Sequence, residues 1–248
     1  MRKGFLQNGS VRPFARLLIS VAGITVAVAI AAIGAGSMPV ALVWLPAWLV
    51  LLFWFSLLLL PALLGLYTML TRHLDGRPLG SVGFAFHPRW KSELCTGLVA
   101  GTVMMMALAG AQCLVGIARF APASGPPGRT VLSGVFLLLT FVVAAADEEL
   151  LFRGYPFQRL VDVGSPVFAV ALLSVLFGPA HLHNPSQTWI STLNTVMVGV
   201  MLAICYLRTR SLWLAFGRPF CLEFCPGVRP WVAGQGNGFS GWHSPGKN

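Results

Sequence analysis

Charge is what this chain has least of. Only 10% of its 248 residues are Asp, Glu, Lys or Arg, and just seven are acidic. A water-soluble domain usually carries about 25% charged residues, and the hydrophobic fraction here reaches 56%. So little charge excludes a soluble globular protein and leaves lipid as the solvent for most of the surface. Paired cysteines are missing too: Cys95, Cys113 and Cys205 lie in apolar runs without pairing spacing, which argues against a disulfide framework. Strand-like alternation is lacking in the long apolar stretches, so a transmembrane barrel is excluded and backbone hydrogen bonding must be met by helices. No basic tract interleaved with aromatics occurs. The net charge of +10 therefore does not point to nucleic acid.

Long apolar runs fill that gap. A helix needs about 20 apolar residues to cross a hydrocarbon core about 30 Å thick. Runs of suitable length predict an all-α bundle of about six or seven spans near 17–36, 40–70, 94–117, 131–161, 167–182 and 190–207, with a short one at 211–217. Arg2, Lys3, Arg12 and Arg16 precede a first run long enough to span, followed at once by a second, the pattern of an uncleaved signal anchor. Placing this N-terminal arm in the cytoplasm puts Arg72, Arg77, Arg89, Lys91, Arg159, Arg208 and Arg210 on the same side, with Arg119 and Arg129 opposite. A multi-pass protein of a bacterial plasma membrane is the expectation, in contact with membrane lipid. Methionines such as Met104–Met106 and tryptophans 44, 48, 54 and 213 are sufficiently explained by packing and interfacial anchoring.

Three of the seven acids are consecutive, Asp147, Glu148 and Glu149, directly after the apolar run VLSGVFLLLTFVVAAA. Each ionisable group inside a span costs about 2.5–3.5 kcal/mol on insertion scales, so such groups pair, face the bundle interior and mark function. Arg153 stands four residues after Glu149, on the same helical face and with the acid N-terminal as that pair prefers. The next apolar run carries a second polar cluster, FGPAHLHNP, with Phe177 and His181 again four apart. If the acid-bearing helix continues to Asp162 and the chain turns at VGSP, Glu148 lies 14 residues before the turn (162 − 148) and His181 lies 14 after Val167 (181 − 167). Both then stand roughly 21 Å from the turn. An antiparallel hairpin sets carboxylate beside imidazole, an arrangement able to hold a water and take its proton.

Glu-Glu-x-x-x-Arg followed by Phe-x-x-x-His in the next span resembles the CPBP family of intramembrane proteases, which includes type II CaaX prenyl endopeptidases and bacterial abortive-infection-type proteins. The resemblance rests on EELLFRG and LLSVLFGPAHLHNP and extends from about Ala145 to Phe216. It implies that Glu148 and His181 activate water, that Glu149 and Arg153 hold the site by an ion pair, and that Phe177 packs beneath the histidine. It further implies an endopeptidase acting on a hydrophobic or lipid-modified membrane-associated substrate, prenylated proteins being one such class. On this reading residues 1–130 are N-terminal spanning helices and 131–217 an incomplete catalytic core. No cofactor is expected. Zinc could draw ligands from Glu148, Glu149, His181 and His183, but no His-Glu-x-x-His occurs, and His183, Asn184 and Asn194 are assigned to helix-end hydrogen bonding.

Relatives follow Ser-Leu-Trp-Leu with Gly-x-His-Phe-Ala-Trp-Asn-Phe, whose His and Asn are thought to steady the oxyanion. Here Pro219 stands at the His position and Glu223 at the Asn position. Codons for Pro-Phe-Cys-Leu-Glu-Phe-Cys-Pro can be written so that skipping one base yields His-Phe-Ala-Trp-Asn-Phe-Val. The expectation is an extra base near Gly217–Pro219, leaving 218–248 as an out-of-frame, disordered tail; its Gly- and Pro-rich composition has neither helical nor strand periodicity. Cys221, Cys225 and His243 in that tail are not read as a zinc site. Two rival readings follow. One is a catalytically impaired pseudoprotease or scaffold; the other is a proton- or cation-coupled transporter, which predicts inverted repeats that this sequence lacks.

Overall fold

The computed structural model describes residues 6–7, 10–39, 45–116, 126–182 and 188–217. A two-residue antiparallel pair, β1 (Leu6–Gln7) with β2 (Ser10–Val11), precedes seven helices: α1 (Pro13–Gly36), α2 (Ala47–Leu70), α3 (Trp90–Leu114), α4 (Pro127–Arg153), α5 (Tyr155–Val163), α6 (Pro166–Ala180) and α7 (Trp189–Thr209). Residues 213–217 are again helical and lie across α3 at Leu94 and Leu98. Five stretches, Pro13–Gly36, Ala47–Asp75, Trp90–Leu114, Pro127–Val163 and Trp189–Thr209, are long and apolar enough to cross a membrane, and α6 is a shorter apolar helix. Apart from that short pair, the regular structure of the described residues is helical, and the chain is an integral membrane protein. The expected tail beyond Gly217, with Pro219 and Glu223, lies outside the described residues.

Local sequence explains the helix ends. Pro13 and Pro166 sit in first turns, where their missing N–H costs no intrahelical bond. Ser165 accepts the Phe168 N–H at 3.1 Å, and Thr188 with Ser191 forms a reciprocal capping box at the start of α7. One expectation needs correction. The acid-bearing helix does not run unbroken to Asp162: it ends at Arg153 and resumes at Tyr155. Gly154 makes the break with ψ −136°, bringing its own Cα face against the Leu150 carbonyl, where any Cβ would collide. Pro156 then occupies the first turn of α5.

The core gathers Leu59, Leu63, Tyr67 and Leu70 of α2 with Leu150, Tyr155, Phe157 and Leu160 of α4 and α5, closed by Ala203 and Tyr206 of α7. Outward-facing Val26, Ile30 and Ile33 on α1, Val99, Val103 and Met106 on α3, and Val175 on α6 remain exposed, as lipid-facing positions do.

Charges at one end of the bundle tie its helices together. Asp75, just beyond α2, accepts from Arg16 Nη1 of α1 at 2.7 Å and from Arg159 Nη1 and Tyr155 Oη of α5, each at 3.4 Å. Arg159 Nη2 also meets Asp162 at 3.2 Å. At the same end, the α2–α3 connection reaches the end of α7 through Leu212 N–H to the Gly83 carbonyl at 2.9 Å and Trp213 Nε1 to the Ala85 carbonyl at 3.0 Å. The connection carrying Arg72 to Lys91, the α5 charges and the α7 terminus therefore share one end, as the even number of crossings between them requires: α3 and α4, then α6 and α7.

Candidate active site

Two antiparallel elements, α4 with its acids and α6 with its histidine, create the site. Glu148 Oε1 and His181 Nε2 approach to 3.4 Å, and their side chains retain 20% and 16% of their exposure. Immediately beside them Glu149 and Arg153 are sealed, at 0% and 1%, with Arg153 Nη1 at 3.3 Å from Glu149 Oε1. Adjacent carboxylates on one helix are thus separated in kind: one is closed into an ion pair, the other opens with the imidazole onto accessible space.

The buried half is held from three helices. Arg153 Nη2 donates to the Gly199 carbonyl of α7 at 3.4 Å, and its guanidinium carbon lies 4.3 Å from the centre of the Phe177 ring on α6. Charge, ring and carbonyl together offset the desolvation that makes an isolated buried ion so expensive. Glycine at 199 suits this close approach: a Cβ there would stand 3.1 Å from Ser174 Cα and 3.3 Å from Phe177 Cδ1, tight enough to push the two helices apart by a few tenths of an ångström. Phe177 meets the His181 ring edge-on at 4.5 Å and Phe152 edge-on at 4.9 Å. It lies between the buried cation and the accessible imidazole.

Hydrogen bonding sets the histidine's tautomer. His181 Nδ1 is 2.8 Å from the Phe177 carbonyl, which only accepts, so Nδ1 carries a proton and Nε2 is the nitrogen turned to Glu148. The ring is oriented by its own helix, one turn back. The 3.4 Å between Nε2 and Oε1 is longer than a tight hydrogen bond, a looseness usual in sites without substrate.

Every described residue of the expected constellation is brought together: Glu148, Glu149, Arg153, Phe177 and His181. His183 lies outside the described residues. Asp147 is 3% exposed and has Ser56 of α2 as its side-chain neighbour. The structure adds the Gly199 carbonyl, Phe152 and Tyr67, which the sequence reading did not single out. Among the described residues no group of three or more His, Cys, Asp or Glu side chains is arranged to hold a metal ion.

Tyr67 fixes the acid-bearing helix to α2 by donating to the Leu150 carbonyl at 3.0 Å in the fully buried core. That carbonyl also accepts the Gly154 N–H at 3.1 Å, so deleting the hydroxyl leaves no orphaned acceptor. Tyr67→Phe is expected to cost about 1 kcal/mol of stability, read as a small fall in the unfolding midpoint in detergent. A loss several times larger would show that the hydroxyl serves more than this one bond.

Comparison with known proteins adds one finding. Residues 130–218 match the family model described as type II CAAX prenyl endopeptidase Rce1-like. The match contains all five residues of the constellation. No curated protein and no solved structure matches the chain.

Proposed function

From this Rce1-like region, we propose that the protein is an intramembrane endopeptidase that hydrolyses a peptide bond of a hydrophobic or lipid-modified substrate with water activated by Glu148. The observation that carries the reading is the contrast between the two neighbouring acids. Glu149 is consumed by Arg153 in a sealed pair, whereas Glu148 faces His181 at 3.4 Å with both side chains accessible.

A water held on Oε1 beside Nε2 gives a proton to Glu148 while its oxygen adds to the scissile carbonyl carbon. The C–N bond then breaks as a proton passes to the amide nitrogen, releasing a carboxylate and an amine. General-base catalysis of this kind contributes about 10²–10⁴-fold. His181 keeps its Nδ1 proton on the Phe177 carbonyl and, protonated at Nε2 as well, donates from Nε2 to the developing oxyanion. Glu149, Arg153 and Phe177 act on this chemistry by holding Glu148 and His181 in place. We further propose that the reaction needs no metal, and that the natural reading frame continues past Gly217 into a His- and Asn-bearing helix that supplies further oxyanion donors. The mass of the C-terminal peptide of the natural protein checks that frame.

The substrate class is tested with two peptides of identical sequence, one farnesylated on a cysteine near its C-terminus and one not, presented to the full chain in proteoliposomes. The farnesylated peptide should be cut at least ~10-fold faster, with no loss of rate in a chelator. Equal rates would remove the lipid-modified substrate from the proposal, and loss of activity in chelator would replace glutamate-only chemistry with a metal centre.

A further inference from the structure

Beyond the α4–α6 site, the described part of the molecule contains a cavity of about 570 Å³ where α2 ends, lined by Thr68, Arg72, Gly76, Arg77, Pro78 and Leu79. Its construction follows from the way the chain leaves the membrane. After Leu70 the helix loosens into a single π turn, Thr71–Asp75, which Gly76 terminates in the left-handed conformation at φ 63°. The reversal lays Pro78 and Leu79 back against the last turn of α2 and puts two guanidinium-bearing residues, Arg72 and Arg77, on the rim.

Both arginines are exposed and make no ion pair or hydrogen bond through their side chains among the described residues. The nearest acid in sequence, Asp75, is unavailable: its side chain is 4% exposed and already accepts from Arg16, Arg159 and Tyr155. The other acids at this end are also engaged, Glu93 with His87 at 3.2 Å and Asp162 with Arg159 at 3.2 Å. The pocket therefore has uncompensated positive charge, an apolar wall from Pro78 and Leu79, and a lipid-facing neighbour in Met69, which is 63% exposed beside Thr68. Cations at the mouth and hydrocarbon immediately beside them match a molecule that is itself anionic at one end and apolar at the other.

We propose that this pocket binds the phosphate of an anionic phospholipid, with Arg72 and Arg77 on the phosphate oxygens and the glycerol and first acyl carbons along Pro78, Leu79 and Met69. Arginine suits the role because its planar fork meets two phosphate oxygens at once. Basic pockets at the ends of spanning helices take anionic head groups for the same reason. This site is independent of the peptidase reading, since it involves none of Glu148, Glu149, Arg153 or His181.

The test uses the full chain, delipidated in a non-ionic detergent, and measures binding by native mass spectrometry and by the shift of the unfolding midpoint. Probes are short-chain phosphatidylglycerol, short-chain phosphatidylcholine and inorganic phosphate. The wild type should bind phosphatidylglycerol saturably and at least ~10-fold more tightly than either other probe. Arg72→Gln/Arg77→Gln should lose that preference, and Arg89→Gln/Arg208→Gln, with the same charge change at the same end, should keep it. Equal binding by both double variants would reduce the effect to the general positive field and overturn the site. Inorganic phosphate binding as tightly as the lipid would overturn the lipid assignment. Should the double variant aggregate, Arg72→Gln and Arg77→Gln singly should each weaken binding by ~3-fold or more, and unchanged affinity in both would equally overturn the proposal.

Discussion

Glu148→Gln should abolish peptide cleavage, lowering the rate by about 10²–10⁴-fold, while leaving the protein folded. Glutamine keeps the shape of the side chain and its contact with His181 but cannot accept the proton of a water. Because Glu148 is partly exposed and its one charged partner is His181 at 3.4 Å, the variant should stay within about 1 kcal/mol of the wild type in stability. Initial rates on a reporter peptide in proteoliposomes, set beside the unfolding midpoint, separate the two effects. A variant that cleaves at the wild-type rate would make Glu148 a bystander and would favour a scaffold over an enzyme.

The opposite profile is expected one turn further along the helix. Arg153→Met should destabilise the protein by about 3–5 kcal/mol, the usual cost of stripping one partner from a buried ion pair, and activity should fall with the folded fraction. Glu149 is completely inaccessible, one of its carboxylate oxygens already lacks a hydrogen bond among the described residues, and the other has Arg153 as its partner. The Gly199 carbonyl would lose its side-chain donor as well, keeping the bond of its own helix. Removing both charges in Glu149→Gln/Arg153→Met should recover much of the stability, because no uncompensated ion then remains. Denaturation measured for the two variants together tests the point: if the double variant is no more stable than Arg153→Met, the ion pair is not what holds this part of the bundle.

The difference between these outcomes reflects what the sequence could and could not reveal. The spans were legible because lipid permits little besides long apolar helices, though α2 begins at Ala47 rather than near residue 40 and the 131–161 run is broken at Gly154. The pairing of Glu148 with His181 was legible from helical rise alone. It survives the break at Gly154, since Glu148 Oε1 and His181 Nε2 still meet at 3.4 Å. The break itself had a readable signal, Gly154 followed by Pro156 in a first turn, which a purely hydropathic reading passes over. Two features had no signal. The Gly199 acceptor is a backbone carbonyl, which any residue supplies, and only the close contact with Ser174 and Phe177 favours glycine there. Asp75 gathers partners 59, 80 and 84 residues away, on helices whose proximity follows from packing alone.

Chemistry was legible to a different depth. Clustering of three of seven acids marked the region, and the i, i+4 spacing identified which acid Arg153 would neutralise. Which acid stays accessible is a matter of how α6 and α7 close over the helix. Glu149 turns into the space between Arg153 and α7, and Glu148, about 100° around the helix, turns to the open side.

The most direct test of the account is to incubate a farnesylated peptide with the full chain in proteoliposomes made up in ¹⁸O-labelled water and to analyse the products by mass spectrometry. The account predicts a shortened prenylated peptide whose new carboxylate carries one solvent oxygen, a released fragment with a free amine, and neither product from Glu148→Gln. Intact peptide after incubation with a verified wild-type chain, or the same products from Glu148→Gln, would contradict it.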